Sequence, residues 1–221
     1  MCAPPAIFAF INLGFAPFFL NSSYKSVIPV SANFALFVKV LSDFDSDKEK
    51  DYLRVLKEKM VDGVIYMSSS LEEETLDIIN ELDLKTVLVE TKDKEGRLPS
   101  VYIDNIEATY EATKHLLDKG IKNIAFIGVD KSSANAWGDR YIGYEKALNE
   151  AGIPVDEDLV YFEGLKVKSG YVASEKFLAS GKNFDGIICA SDEIAMGAIN
   201  GLREKGVNTP EDVSVIGFND N

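Results

Sequence analysis

The side chains of this 221-residue chain best suited to chemistry are Arg140 and a set of small polar groups, and their chemistry is gripping rather than bond-breaking. Arg140 heads the stripe Arg140, Tyr144, Ala147, Leu148 and Ala151, so it faces inward from the first turn of a helix expected over 140–151. A guanidinium there can fork onto vicinal hydroxyls or a carboxylate. Its ordinary alternative is a surface ion pair with an acid such as Asp139. Ser191 and Asp192 offer oxygens and backbone N–H groups at a helix start, where Ser191 is also a plain N-cap. Asn219 and Asp220 lie just past a strand and can accept protons from ligand hydroxyls, although both types are common in turns. Trp137, Phe18 and Phe19 could stack on a sugar or base face; an aromatic of unknown position is more often core.

Catalytic signals are thin. The single histidine, His115, falls mid-helix between Lys114 and Leu116. No nucleophile elbow, phosphate-cradling glycine loop or Cys/His metal spacing occurs, so no enzyme, cofactor or metal is expected. Hydrophobic content of 46% and charged content of 27% are those of a soluble globular protein. A net charge of −13 makes the chain a poor partner for nucleic acid by itself, since phosphate contacts need clustered Lys and Arg. Cys2 and Cys189 stand far apart, one of them inside an apolar strand, which fits a reducing, cytoplasmic setting without a structural disulfide. No apolar run is long enough to span a bilayer.

The elements that must position these residues are legible from residue 38 onward. Apolar strands are expected at 38–41, 63–67, 86–90, 101–104, 123–128, 159–163, 186–190 and 213–217. Helices alternate with them. Ser46-x-x-Glu49 and Ser70-x-x-Glu73 read as capping boxes, the first opening a helix with Tyr52, Leu53, Leu56 and Met60 on one face and the second one with Leu76, Ile79 and Leu82. Asn105 reads as the cap of a helix to Lys119 with Ile106, Tyr110, Thr113 and Leu117 inward. Helices at 169–179 and after Ser191 complete the pattern, which is that of a parallel α/β sheet. Ligands bind such sheets outside the carboxyl ends of the strands. The polar run 91–98 is the best internal boundary. Residues 1–38 carry one charge, Lys25, and differ in texture from the rest; a first strand at 6–11 with an irregular connection is preferred there over a secretory signal.

Five stretches then stand in a telling order: Val61-Asp62-Gly63-Val64-Ile65, Val101-Tyr102-Ile103-Asp104-Asn105, Arg140-Tyr141-Ile142-Gly143-Tyr144, Ser191-Asp192-Glu193-Ile194-Ala195, and Pro210-Glu211-Asp212-Val213-Ser214-Val215-Ile216-Gly217-Phe218-Asn219-Asp220. Over 38–221 the chain resembles the lactose/galactose repressor (LacI/GalR) family of transcriptional regulators, and its texture at 61–70 and 99–101 is similar to catabolite control protein A and its relatives. The resemblance implies an α/β fold of two Rossmann-like parallel-sheet subdomains, periplasmic-binding-protein-like. The first covers 1–103 and the second 104–217, with 218–221 starting a second crossover. It implies a small-molecule effector in the cleft between them, a homodimer, and control of a helix-turn-helix headpiece through which operator DNA is bound.

Carried over position by position, Arg140 matches the family's effector-clamping arginine, Asn219 an effector-contacting aspartate, and Ser191 a position that is often asparagine. Asp104 lies at the first crossover, Ser69 follows a first-subdomain strand, and Phe18 and Phe19 resemble the aromatic pair after the first strand. A phosphorylated carrier protein, the partner of catabolite control protein A, ranks below a sugar, sugar phosphate or nucleobase because Arg140 is present. Three departures accompany the match: no headpiece precedes the core, 20–37 does not resemble the first helix that serves dimerisation, and the chain stops at Asn221, leaving the first subdomain expected to be incomplete. The rival reading is a periplasmic sugar-binding protein of a transporter.

Overall fold

The computed structural model describes residues 46–68, 71–131 and 135–220. The strands expected at 6–11 and 38–41, the segment 20–37, Phe18, Phe19, Ser69 and Ser70 lie outside them. The chain divides into two units, Met1–Tyr102 and Ile103–Asn221. Among the described residues no helix is long and apolar enough to cross a membrane.

In the first unit, α1 (Ser46–Glu58), β1 (Val64–Met67), α2 (Glu73–Glu81), β2 (Thr86–Val89) and β3 (Ser100–Val101) alternate, and the strands pair in parallel in the order β1-β2-β3. Leu53 and Leu56 of α1 and Ile78 and Ile79 of α2 bury against Val64, Tyr66 and Leu88. Met60 does not join them. It lies beyond the end of α1 with φ 54° and is 87% exposed, because the turn that leads into β1 has already left the helical path. Glu49 is 9% exposed and its carboxylate accepts the Tyr66 hydroxyl, a partner that spacing alone does not reveal. The expected cap of α2 moves as well: Glu72, not Ser70, is the N-cap residue, and it makes no side-chain cap bond.

The loop from β2 to β3 is held by charge. The Asp93 side chain is 1% exposed and accepts from Arg97 Nε and Nη2, both at 2.9 Å, and from the Glu95 and Arg97 backbone N–H groups. Arg97 also reaches Glu73 of α2. The Arg97 guanidinium holds the Asp93 carboxyl well below the usual carboxylate range. An acid with a depressed folded-state pKa gives stability that is complete above its unfolded value, about 4, and is lost as pH falls toward the folded value. Acid titration of thermal stability is therefore expected to show the melting temperature dropping below about pH 4. Asp93→Asn should start lower at neutral pH and flatten that slope; an unchanged slope would remove Asp93 from the account.

In the second unit, α3 (Asn105–Asp118), β4 (Ile124–Gly128), α4 (Ala136–Glu150), β5 (Val160–Phe162), α5 (Val167–Ser180), β6 (Gly186–Cys189), α6 (Asp192–Glu204) and β7 (Ser214–Ile216) form a parallel sheet ordered β5-β4-β6-β7. β4 and β6 are buried at every residue, as central strands covered on both faces must be. Right-handed crossovers put α4 on one face and α5 and α6 on the other. Phe126, Tyr144, Phe177, Ile187, Ile194 and Leu202, each at most 1% exposed, fill the space between. The Tyr144 hydroxyl donates to the Ile124 carbonyl at 2.7 Å, so this deep phenol is not left unpaired.

The inward face of α3 is rotated from the expected one. Thr109, Thr113 and Leu116 are buried, whereas Ile106, Tyr110 and Leu117 are only half-buried. Close approach of α4 explains it: a Cβ on Gly143 would meet the Ile106 carbonyl, so backbone packs on backbone and small side chains occupy the contact. Ala151, expected inward, is the exposed C-cap residue of α4.

Candidate functional site

Strand order reverses around β4. The chain leaves β4 through α4 toward β5 on one side, and later leaves β6 through α6 toward β7 on the other. The carboxyl ends of β4 and β6 are thus the switch point where an open α/β sheet leaves a crevice for a ligand. α4 begins earlier than spacing suggests, at Ala136, because Asn135 caps it by accepting from the backbone N–H groups of Trp137 (2.9 Å) and Gly138 (3.2 Å). That start places Trp137 one turn before Arg140 on the same helix.

Arg140 is 6% exposed. Its Nε donates to Asn105 Oδ1 at 2.9 Å, and Nη1 donates to the Ala190 carbonyl at the end of β6. Its guanidinium carbon lies 3.6 Å from the Phe218 ring centroid and 4.7 Å from that of Trp137. Burying a cation costs several kcal/mol unless it is compensated. Here carbonyl dipoles satisfy its edge, and aromatic faces meet it at cation–π distance. The guanidinium bridges three elements: the start of α3, the end of β6 and the segment after β7.

The neighbours close the same corner. Ser191 is 5% exposed and caps α6, accepting from the Ile194 N–H at 3.3 Å. The Asp192 N–H donates to the Phe218 carbonyl at 3.1 Å, tying α6 to the chain after β7. The Asp192 side chain lies where a Cβ on Gly217 would sit, which accounts for glycine there. Asn219 and Asp220 are exposed, with φ of 109° and 62°. Positive φ costs a non-glycine side chain energy, least for Asn and Asp. These two residues turn the chain immediately beyond the Arg140–Phe218 stack.

Of the residues singled out in the sequence, Arg140, Trp137, Ser191, Asp192 and Asn219 thus gather at one end of the second sheet, within it or one residue from its contacts. Asp104 does something different from what its neighbour was assigned. It, rather than Asn105, is the N-cap of α3, accepting from the Glu107 N–H at 3.0 Å while its side chain stays exposed. Asn105 is instead the first helical residue, 7% exposed, and is spent on Arg140. Asn105 and Phe218 are the site residues that sequence reasoning passed over. The available signal was adjacency, since each sits beside a flagged residue inside a quoted motif. His115 is exposed on α3, and Cys189 is a buried thiol whose pKa burial pushes up, which suits a small core side chain. Among the described residues no group of three or more His, Cys, Asp and Glu is placed to hold a metal ion.

Comparison with known proteins identifies the family of this fold. The family model for periplasmic binding proteins and the sugar binding domain of the LacI family matches residues 16–220. The HTH-type transcriptional regulator RegA of Clostridium saccharobutylicum is 66% identical over 180 residues, covering 81% of this chain and 54% of that protein. The crystal structure of transcription regulator CcpA of Lactococcus lactis superposes with a TM-score of 0.70 at 35% identity, over 81% of this chain and 65% of that one. A complex of the transcriptional regulator CelR with cellobiose superposes at 0.69 with 28% identity, over 80% and 54%. The chain spans about half the length of the curated relatives it matches. With the parallel sheets and the family match in agreement, the chain belongs to the family of periplasmic binding proteins and LacI-family sugar binding domains.

Proposed function

We propose that this chain is the effector-binding core of a LacI-type transcription regulator, and that a small polar molecule, a sugar, sugar phosphate or nucleobase, docks against Arg140 at the strand ends of the second unit. The observation that carries this is the guanidinium itself: buried at the switch point, stacked on aromatic rings, and positioned by carbonyl oxygens. The cellobiose held by the structurally similar CelR favours the sugar class. A ligand that prefers one of two conformations shifts their balance by its differential affinity. In the full-length regulator that shift is passed to a helix-turn-helix element, a type of element that the names of the RegA relatives include. The working unit is a cytoplasmic homodimer, and a phosphorylated carrier protein is a lesser alternative as effector. The relatives are transcription regulators, which supports binding rather than catalysis as the role.

A thermal-shift screen with cellobiose, glucose 6-phosphate and hypoxanthine tests the reading. A ligand at 100 times its Kd adds about 2.7 kcal/mol, worth roughly 5–10 °C in a domain of this size. One class should raise the melting temperature of the wild type clearly more than that of Arg140→Ala; no shift with any of the three, or an equal shift in both proteins, would overturn it. These 221 residues, at net charge −13, should also show no measurable operator affinity at physiological salt in a gel-shift titration.

A further inference from the structure

We infer that Asn105 is a positioning residue that mechanically couples Arg140 to the connection between the two units. The chain passes from the first unit to the second at Tyr102–Ile103. The Asn105 side chain is bound at both ends there: Oδ1 accepts from Arg140 Nε at 2.9 Å, and Nδ2 donates to the Ile103 carbonyl at 3.1 Å. Only one orientation of the amide satisfies both, because the reverse would set NH2 against guanidinium and oxygen against oxygen. Aspartate keeps the acceptor and loses the donor, and alanine loses both.

The tied segment is otherwise lightly held. Val101, Tyr102 and Ile103 are 66%, 47% and 59% exposed, and the Val101 carbonyl accepts the Glu90 N–H at 3.0 Å. Segments with few buried contacts open at low free-energy cost, so one hydrogen bond is a large share of their stability. Asn105 itself is 7% exposed and anchored as the first residue of α3. A displacement of the guanidinium, by a ligand or by substitution, therefore pulls on the Ile103 carbonyl through one rigid amide. Signalling by a ligand along this path rests on the function proposed above; the mechanical link does not.

Amide hydrogen exchange on the full chain without ligand tests the link, with emission of Trp137, the one tryptophan, reporting the seat of Arg140. Arg140→Met keeps an unbranched stem beside the rings and removes the bond to Asn105. It should speed exchange of the Glu90 amide, which donates to the Val101 carbonyl, by roughly fivefold, the equivalent of one hydrogen bond, while β6 peptides stay at the wild-type rate. Asn105→Asp should speed the same amide and leave Trp137 emission unchanged, because the guanidinium keeps its acceptor. Asn105→Ala should alter both. Wild-type exchange at Glu90 in Arg140→Met or in Asn105→Asp would overturn the coupling, as would equal acceleration in β6. A ligand screen without a hit would count against the proposed function and leave this result untouched.

Discussion

Arg140→Ala is expected to weaken binding of the effector by roughly 10- to 150-fold, read by calorimetric titration, with the fold intact by circular dichroism. The magnitude follows from what is removed. A hydrogen bond to a charged group contributes about 1.5–3 kcal/mol, and each 1.4 kcal/mol is tenfold in Kd. A second loss adds to the first. Without the guanidinium, the Ala190 carbonyl and Asn105 Oδ1 lose the donor they share, and the Phe218 and Trp137 rings lose the cation they contact. Arg140→Lys should fall between, because an ammonium keeps the charge and loses the planar fork. Binding by the alanine variant within threefold of wild type would place the ligand elsewhere.

The second large effect is on stability and runs against helix propensity. Gly197→Ala and Gly170→Ala sit inside α6 and α5, where alanine is ordinarily better than glycine by about 1 kcal/mol. Here the two helices touch through these glycines. A Cβ on Gly197 would strike the Val167 carbonyl and lie 2.9 Å from the Tyr171 nitrogen, and one on Gly170 would strike the Ile194 carbonyl. Backbone cannot step aside as a side chain can, so the helices must separate and open the packing around Ala173, Ala198 and Leu202, all fully buried. Overpacking of this kind costs about 1–3 kcal/mol or more. We expect each substitution to lower the melting temperature by about 4–10 °C; a rise in either would show that propensity outweighs the clash.

The alternation of strands and helices was legible because period-two and period-3.6 hydrophobicity survive at single-residue resolution: Leu53 and Leu56, Leu76 and Ile79, and Tyr144, Ala147 and Leu148 are all buried as their spacing requires. Where the reading slipped, a neighbour in space had overridden a local rule. α3 rotated because Gly143 lets α4 approach its backbone, and nothing in residues 105–119 records that. Asn105 is a sound N-cap by type, but Asp104 takes that place and frees the amide for Arg140, 35 positions away. Arg140 itself was legible, since an arginine at the head of an apolar stripe breaks the pattern. Its partners were not. Phe218 and the Ala190 carbonyl come to it only through the sheet order, which spacing does not encode.

Trp137 makes the central claim directly measurable. It is the chain's one tryptophan, with its ring centroid 4.7 Å from the Arg140 guanidinium carbon, so a molecule seated on that guanidinium must change the indole's surroundings. Titration of the wild type with the compound that gives the largest thermal shift should produce a saturable change in Trp137 emission with the Kd found by calorimetry, displaced in Arg140→Ala to that variant's higher Kd. Saturable binding by calorimetry with Trp137 emission unmoved, or an emission change with the wild-type Kd in the alanine variant, would contradict it.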